Sequence, residues 1–359
     1  LQDLLDAKRK RDKPKEEEDR ELEEGEIIDD EDEDEEKVEV DGHFVLPRDQ
    51  HLVYWNIIND LKNDPRFLLA LERAMAYGGN NRYDKGTTGS FPWALNKLSY
   101  EYMKLLRTTR QYHPQKDYVA LVRGEPQRAT ASTRAWHQAR TDGPNGDRLC
   151  FFVDPNDKID DEYATEPYET LTLSRTLIVI RYDGKGGKGM EGTYWGEERI
   201  LTGRTHQIKL ANAARGNPIE GDTRYGHEAH LEDAKERGVS RALLANVLFR
   251  SAKPEKTDEG KLRPTKEMVS LYSDPGEDFR AALKLLVTQG EILWVAPEVQ
   301  DCVSRMKDGS FLASQEDVNK AVSFDLCGHF CDDAEEFGWQ PPTDGPTSSS
   351  RTISSELPP

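Results

Sequence analysis

Charge is distributed very unevenly along the 359-residue chain, and this limits where a folded core can begin. Residues 1–41 hold 21 acidic and 8 basic side chains, so they account for −13 of the formal net charge of −19. The acidic run over 16–36 repels itself and has few side chains to bury, which predicts a disordered arm over 1–39. Two interpretations of the arm stay open. It is either a solvated, solubilising extension or a segment that docks on a basic protein surface, with self-masking of a basic cleft of the same chain as a variant.

The body of the chain carries the remaining −6, and this balance does not exclude an RNA partner, even though RNA binding draws on basic surface. No apolar run approaches the roughly 18 to 20 residues that span a membrane, so we expect no membrane partner. No signal-peptide hydrophobic region follows the first residue, which is Leu and suggests a processed or truncated chain. Four cysteines in a chain of this length do not form a disulfide framework, which favours a reducing compartment.

Hydrophobic periodicity predicts several helices in the body. Apolar residues predict one helix over 52–61 and another over 67–77. A later helix is predicted from Pro275 onward, with Phe279, Leu283 and Leu286 facing the core. A further helix is predicted from one apolar stripe that is made of Leu95, Leu98, Tyr102 and Leu105.

Strands are predicted over 118–122 and 177–182, where β-branched and aromatic residues are concentrated. The polar segment over 125–161 predicts a long surface insertion, and the Gly- and Lys-rich residues 183–189 predict a hairpin tip. We therefore predict one folded domain over 40–288, followed by a C-terminal extension over 289–359. The extension ends in a loose tail from Pro341 that is rich in Pro, Ser and Thr.

Two segments carry the residues that suggest chemistry. Residues 81–89 read Asn-Arg-Tyr-Asp-Lys-Gly-Thr-Thr-Gly, and residues 202–209 read Thr-Gly-Arg-Thr-His-Gln-Ile-Lys. The second segment continues over 216–226 as Gly-Asn-Pro-Ile-Glu-Gly-Asp-Thr-Arg-Tyr-Gly, and residues 116–118 between the two segments read Lys-Asp-Tyr. An isolated Asp in a Gly- and Asn-rich loop more often forms a turn, so the long second segment decides the interpretation.

These segments resemble the signature motifs of the RluA-type pseudouridine synthases. That family shows His-Arg-Leu-Asp with Thr-Ser-Gly, then Thr-Gly-Arg-Thr-His-Gln-Ile-Arg, Pro-Ile-x-Gly-Asp and Tyr-Gly, and order and spacing agree from about Val40 to about Ala282. The resemblance implies an α/β (α+β) fold with a central, mostly antiparallel mixed sheet, flanking helices and an RNA-binding cleft. It also implies a cofactor-independent isomerase that converts uridine to pseudouridine in structured rRNA or tRNA.

The resemblance assigns three catalytic residues. Asp84 matches the nucleophile, which must be an accessible, ionised carboxylate beside a positive partner. Lys209 matches that partner, and Tyr118 matches the aromatic residue that stacks on the target base. Whether the carboxylate attacks the uracil ring or the anomeric carbon of the ribose stays open.

Four further residues are implied to contact RNA: Arg82, Thr87, Arg204 and His206. Arg82 matches the side chain that enters the space left by the flipped base, and flipping costs a few kcal/mol, so an unpaired uridine is the expected target. Arg204 and His206 either contact the RNA or belong to a buried polar network. Asp222 is expected to fix the turn after Ile219.

The chain also departs from the family pattern. Asn81, Tyr83 and Lys209 stand where the family has His, Leu and Arg, and lysine lacks the bidentate grip of arginine on a carboxylate. Pro92 stands where the family has a continuous central strand, which it should interrupt. Together with the acidic arm and the long insertion, these departures motivate an alternative, a catalytically weak or inactive homologue that acts as a ribosome or ribonucleoprotein assembly or binding factor. Its acidic arm would dock on ribosomal or assembly-factor proteins.

Cys327, His329 and Cys331 form a cluster whose spacing does not match a common zinc pattern, so we expect local packing and no metal. The reduced cysteines and the prevalence of such synthases in organelle ribosome biology point to mitochondria. The nucleus and the cytoplasm stay open as alternatives.

Overall fold

The computed structural model describes residues 38–40, 43–45, 83–90, 92, 94, 96–109, 112–124, 126, 128–141, 148–159, 162–182, 190–308, 310–312, 314–322 and 324–336. The predicted helices over 52–77, the hairpin tip over 183–189, most of the acidic arm, the tail from Pro341 and Arg82 lie outside these residues. The chain divides into two compact units, Leu1–Asn80 with Trp93–Tyr100 and Asn81–Pro92 with Glu101–Pro359. In the first unit, β1 (Val38–Val40) pairs antiparallel with β2 (His43–Val45).

The second unit is built on a mixed, mostly antiparallel sheet, which confirms the predicted fold class. Its strands are β3 (Thr88–Gly89), β4 (Gln115–Val122), β5 (Thr130–Thr141), β6 (Arg148–Val153), β7 (Tyr168–Tyr182), β8 (Met190–Ile200), β9 (Leu244–Lys256), β10 (Leu262–Tyr272) and β11 (Glu291–Val295). The spatial order is β10-β9-β4-β8-β7-β5-β6, with β11 beside β7 and β3 beside β9. Only β3 pairs parallel among these described strands. The strands predicted over 118–122 and 177–182 are confirmed within β4 and β7.

The helices are α1 (Lys97–Thr108), α2 (Gln207–Ala214), α3 (Glu228–Glu236), α4 (Glu277–Gln289), α5 (Val303–Asp308), α6 (Gln315–Ala321), α7 (Leu326–His329) and α8 (Cys331–Glu336). A 3₁₀ helix spans Pro297–Cys302. The helix predicted from Pro275 is confirmed as α4, whose Phe279, Leu283 and Leu286 are fully buried. Within the described residues, no helix combines the length and the apolar character that a membrane crossing requires.

The apolar stripe predicted for α1 is wrong by one position. Tyr102 and Leu106 are buried, whereas Leu105 is 39% exposed, and Leu95 lies outside the described residues. Residues three and four positions further along a helix both lie on the same face as the first residue, and after Tyr102 both positions are leucine. Packing of Tyr102 and Leu106 with Ala252 of β9 selects the i+4 spacing.

The polar segment over 125–161 is not a surface insertion in its described part, because β5 and β6 extend the sheet beyond β7. Their buried positions include polar side chains such as His137 and Gln138, which hide the alternation expected of a strand. The boundary predicted at 288 does not separate two packing units either. Residues beyond it, among them Phe311 and Val318, belong to the same hydrophobic core as Leu121 of β4.

The two faces of the sheet are covered differently because alternate residues of a strand point in opposite directions. On the face that we call the back face, Val119 and Leu121 pack in a core with α4 and residues beyond Pro297. On the opposite face, which we call the site face, Tyr118 packs in a cluster with Ile208 of α2. The predicted catalytic residues on β4 and α2 therefore lie on one side of the sheet.

Candidate active site

A tight turn presents Asp84 ahead of β3. The Thr87 amide donates to the Asp84 carbonyl at 2.9 Å, and Gly86 has a φ of 89°, which is typical of the third residue of a type II turn. Gly89 lies so close to β9 that a Cβ atom on it would be 2.1 Å from the carbonyl oxygen of Asn246. This close approach seats β3 beside β9, and the strand ends before Pro92, as predicted.

Two cations bind carbonyl groups of the turn over 84–87. Arg241 Nη1 donates to the Gly86 carbonyl at 2.7 Å, and the same guanidinium binds both carboxylate oxygens of Asp278 at 2.5 and 2.7 Å. Lys209 Nζ donates to the Lys85 carbonyl at 3.2 Å. The position of the Asp84 backbone is therefore fixed from both sides of the turn.

His206 adopts a left-handed conformation with a φ of 57° immediately before α2. In this conformation its main-chain amide donates to Asp84 Oδ1 at 3.2 Å. The N-terminus of a helix carries partial positive charge, so it attracts a carboxylate group at this place. Of the two roles left open for His206, the structure supports membership of a polar network, because its Nδ1 lies 3.0 Å from the Tyr225 hydroxyl.

Lys209 is a buried residue of α2. Its Nζ lies 3.7 Å from Asp222 Oδ1. Among the described residues, Asp222 is the carboxylate within ion-pair distance of Lys209, so the ion pair predicted with Asp84 is not the contact observed. Asp222 also accepts the Arg224 amide at 3.1 Å, as expected for a residue that fixes this turn.

Tyr118 is buried beside Asp84. Burial raises the pKa of its phenol well above the ordinary value, and the nearby Tyr83 and Asp84 raise that pKa further. Tyr83, which stands where the family has Leu, donates its hydroxyl to the Ser90 carbonyl and lies 3.1 Å from Asn246 Oδ1. The structure therefore brings Asp84 and Tyr118 together through a second tyrosine that ties the turn to β9.

Gln207, to which the sequence assigned no role, anchors the loop that carries Arg204. Its side-chain oxygen accepts from the Thr202 hydroxyl at 2.8 Å and from the Arg204 amide at 3.2 Å. Its side-chain nitrogen donates to the Leu171 carbonyl at 3.0 Å. The Arg204 guanidinium lies 4.0 Å above the ring of Tyr168, a cation–π contact on the site face.

Two histidines of the site are held neutral near pH 7. Burial lowers the pKa of His206 to about 4, and the positive charges of Lys209 and Arg224 lower it as well. Burial also lowers the pKa of His137 to about 4, although its Nε2 donates to the Thr205 carbonyl at 2.9 Å. His137 lies on β5, in the polar segment without a motif, and no sequence signal marked it.

The Thr87 hydroxyl is buried, and Cys327 and His329 contact polar residues of the strands β8 and β5. The Thr87 hydroxyl oxygen is buried and has no hydrogen-bond partner in the described part of the chain. Cys327 Sγ accepts from Arg199 at 3.8 Å, while His329 Nε2 lies 3.1 Å from the Thr130 hydroxyl. Within the described ranges, no three His, Cys, Asp or Glu side chains converge as metal ligands would.

No family model matches the chain. It is 25% identical over 180 residues to ribosomal large subunit pseudouridine synthase C of Haemophilus ducreyi, a match that covers 50% of this chain and 48% of that protein. It is 29% identical over 173 residues to RNA pseudouridylate synthase domain-containing protein 1 of Bos taurus, which covers 46% of this chain and 49% of that protein. Over about half of its length, the chain is thus similar to pseudouridine synthases, in agreement with the resemblance of its motif residues.

The chain spans about half the length of the curated relatives that it matches, 48% and 49% for these two. The solved structure of human RNA pseudouridylate synthase domain containing 1 aligns with a TM-score of 0.43 at 20% identity and covers 63% of this chain and 78% of that one. Asp84, Tyr118 and Lys209, the residues that match the RluA-type motifs, lie on separate segments around one turn.

Proposed function

We propose that this chain is an RNA pseudouridine synthase and that Asp84 is its nucleophile. The observation that carries the proposal is the convergence of separate segments on one carboxylate. The His206 amide donates to Asp84 Oδ1 at 3.2 Å, and Asp84 raises the pKa of the buried Tyr118 phenol. Lys209 binds the neighbouring carbonyl of Lys85 at 3.2 Å.

The proposed reaction is an isomerisation in which all atoms of the uridine are conserved. The Asp84 carboxylate attacks either the uracil ring or the anomeric carbon of the ribose, and the bond between C1′ and N1 breaks. The base turns, a bond between C1′ and C5 forms, the C5 proton leaves while N1 gains one, and the carboxylate is released. Tyr118 matches the aromatic residue that stacks on the target base, and its phenol lies near Asp84, so we assign it to packing against the uracil ring.

The proposed substrate is an unpaired or loop uridine in rRNA or tRNA. The target base must leave its stack to reach a protein carboxylate, and an unpaired base does so at lower cost. Positive side chains lie close to the site: Arg224 and Arg148 both lower the pKa of His206. Together with Arg204 on the same face, they are suited to RNA phosphates.

The test is incubation of the purified full chain with unmodified transcripts of rRNA and tRNA, followed by mapping of pseudouridine. We expect the wild type to modify one or a few uridines and Asp84→Asn to modify none while it binds the same RNA. Asp258→Asn, at an exposed carboxylate in the turn between β9 and β10, serves as the matched control and retains measurable activity. A wild type that binds these RNAs but modifies none would support the alternative of a binding or assembly factor.

A further inference from the structure

We infer that His206 is a positioning residue for Asp84, that its ring faces the carboxylate with a protonated Nε2, and that Tyr225 fixes this tautomer. The inference rests on the proposed function and goes beyond it, because it assigns a donor to the nucleophile that is separate from Lys209. It follows from the hydrogen bonds around a single imidazole ring.

The backbone of His206 already contacts the Asp84 carboxylate. A φ of 57° turns the amide toward Asp84 Oδ1, at 3.2 Å, and the same turn brings Nε2 to 4.0 Å from that oxygen. A separation of 4.0 Å is too long for a hydrogen bond, and a shift of about 1 Å would form one. Such contacts are often long before substrate binds and shorten in the reacting complex.

The hydrogen bonds of Tyr225 decide which ring nitrogen carries the proton. The Cys150 amide donates to the Tyr225 oxygen at 3.1 Å, so the tyrosine hydroxyl accepts this bond and keeps its own proton for another acceptor. The remaining partner is His206 Nδ1 at 3.0 Å, which must accept because the hydroxyl donates to it. The neutral ring therefore carries its proton on Nε2, the nitrogen that faces Asp84.

The surroundings of the ring keep it in this neutral form. An imidazolium ring could not accept from Tyr225, and the positive groups beside it oppose a further charge. The Tyr225 ring also packs edge-on against the imidazole, with centroids 5.6 Å apart. The titratable and charged groups around the ring come from the turn over 84–87, α2 with its preceding loop, the loop over 219–226, and the strands β5 and β6. They are Asp84, Lys209, Arg204, Asp222, Arg224, Tyr225, His137, Arg148 and Cys150.

Kinetics of Tyr225→Phe test the inference without removing the histidine. The variant keeps the ring packing and removes the hydroxyl that fixes the tautomer. We expect kcat for pseudouridine formation at pH 7 to fall about tenfold or more with little change in KM, and the acid limb of the pH profile to move to higher pH. Tyr163→Phe, at an exposed tyrosine outside the site, should change neither quantity. An unchanged pH profile in Tyr225→Phe would overturn the inference.

Substitutions of His206 itself distinguish a hydrogen-bond donor from a side chain that only fills space. Asparagine tolerates the left-handed backbone but does not reach Asp84, and we expect His206→Asn to lower kcat by about 10²-fold. Glutamine can place an amide donor near the position of Nε2, and we expect His206→Gln to recover part of that loss. Equal losses in both variants, with both folded as judged by circular dichroism, would contradict a positioning role.

Imidazole ¹⁵N NMR of the full chain gives a readout that does not depend on activity. We expect the His206 signals, assigned by their loss in His206→Asn, to show a proton on Nε2 in the wild type from pH 5 to pH 8. In Tyr225→Phe we expect a mixture of tautomers and proton uptake at higher pH. A wild-type ring protonated on Nδ1 would refute the inference. A wild type that forms no pseudouridine, with the NMR result as expected, would instead refute the proposed function.

Discussion

Lys209 Nζ lies 3.7 Å from Asp222 Oδ1, and both side chains are almost completely buried. The family resemblance places Lys209 opposite the nucleophile, yet in this structure its ion-pair partner is the carboxylate of the turn after Ile219. Lys209 also donates to the carbonyl of Lys85, next to Asp84. A single buried cation thus links the turn over 84–87 to the loop over 219–226.

Removal of this cation should destabilise the protein strongly. Lys209→Met leaves Asp222 as a buried, uncompensated carboxylate, and such a loss lowers the free energy of unfolding by about 3–5 kcal/mol. The double variant Lys209→Met/Asp222→Leu removes both charges and should recover most of this loss. Denaturant unfolding measures the free energy of unfolding of both variants, with the exposed Lys266→Met as the control. A value for Lys209→Met equal to that of the control would show that the pair contributes nothing.

Arg241 should matter for catalysis more than its distance from the reacting carboxylate suggests. Its guanidinium binds the Gly86 carbonyl at 2.7 Å and holds Asp278 through two hydrogen bonds. Arg241→Met frees the turn that carries Asp84, so we expect kcat to fall about tenfold or more with a smaller change in KM. The matched control is Arg263→Met on β10, which removes an exposed ion pair with Glu255 of β9. Equal kcat values for the two variants would contradict this role.

The sequence predicted the elements whose apolar pattern is simple. The strand over 118–122 and the helix through Phe279 were found because their buried positions are apolar and regularly spaced. β5 was missed because His137 and Gln138 are buried there, held by hydrogen bonds that only the folded chain supplies. For α1, two adjacent leucines fitted the same face, and only packing against Ala252 selects Leu106.

In the candidate site, too, the sequence marked some residues and missed the contacts of others. Asp84, Tyr118 and His206 were marked by motif residues, and the structure brings them together. The partner of Lys209 was not predictable, since Asp222 lies 13 residues further along the chain and reaches it only through the turn after Ile219. Tyr225 was visible as half of a Tyr-Gly motif, but its role depends on the Cys150 amide of β6.

Stability should fall in acid because of His137. Burial lowers its pKa from 6.5 to about 4, so below pH 6.5 the unfolded chain binds a proton that the folded chain does not. Its contribution is therefore present above pH 6.5 and is lost as the pH falls toward 4, by about 3 kcal/mol over this window. The free energy of unfolding of His137→Gln should fall less steeply between pH 7 and pH 4. Parallel pH dependences of the wild type and the variant would refute the assignment.

Arg204 should contribute to RNA affinity through charge. Its guanidinium stacks on Tyr168 on the site face, where it can meet a phosphate. We expect Arg204→Gln to weaken binding of an unmodified rRNA or tRNA transcript and to reduce the slope of log K against log salt by about 0.7–0.9. Arg181→Gln, which removes an exposed ion pair with Glu291, is the matched control and should leave the slope unchanged. A slope equal to that of the wild type would place Arg204 outside the RNA contact.

The most direct test of the central claim is a pseudouridine map of rRNA and tRNA in cells that lack this protein. The cells are complemented either with the wild-type chain or with Asp84→Asn at equal abundance. The account predicts that one or a few defined sites return with the wild type and stay unmodified with Asp84→Asn. Identical maps for the two complemented strains would contradict it.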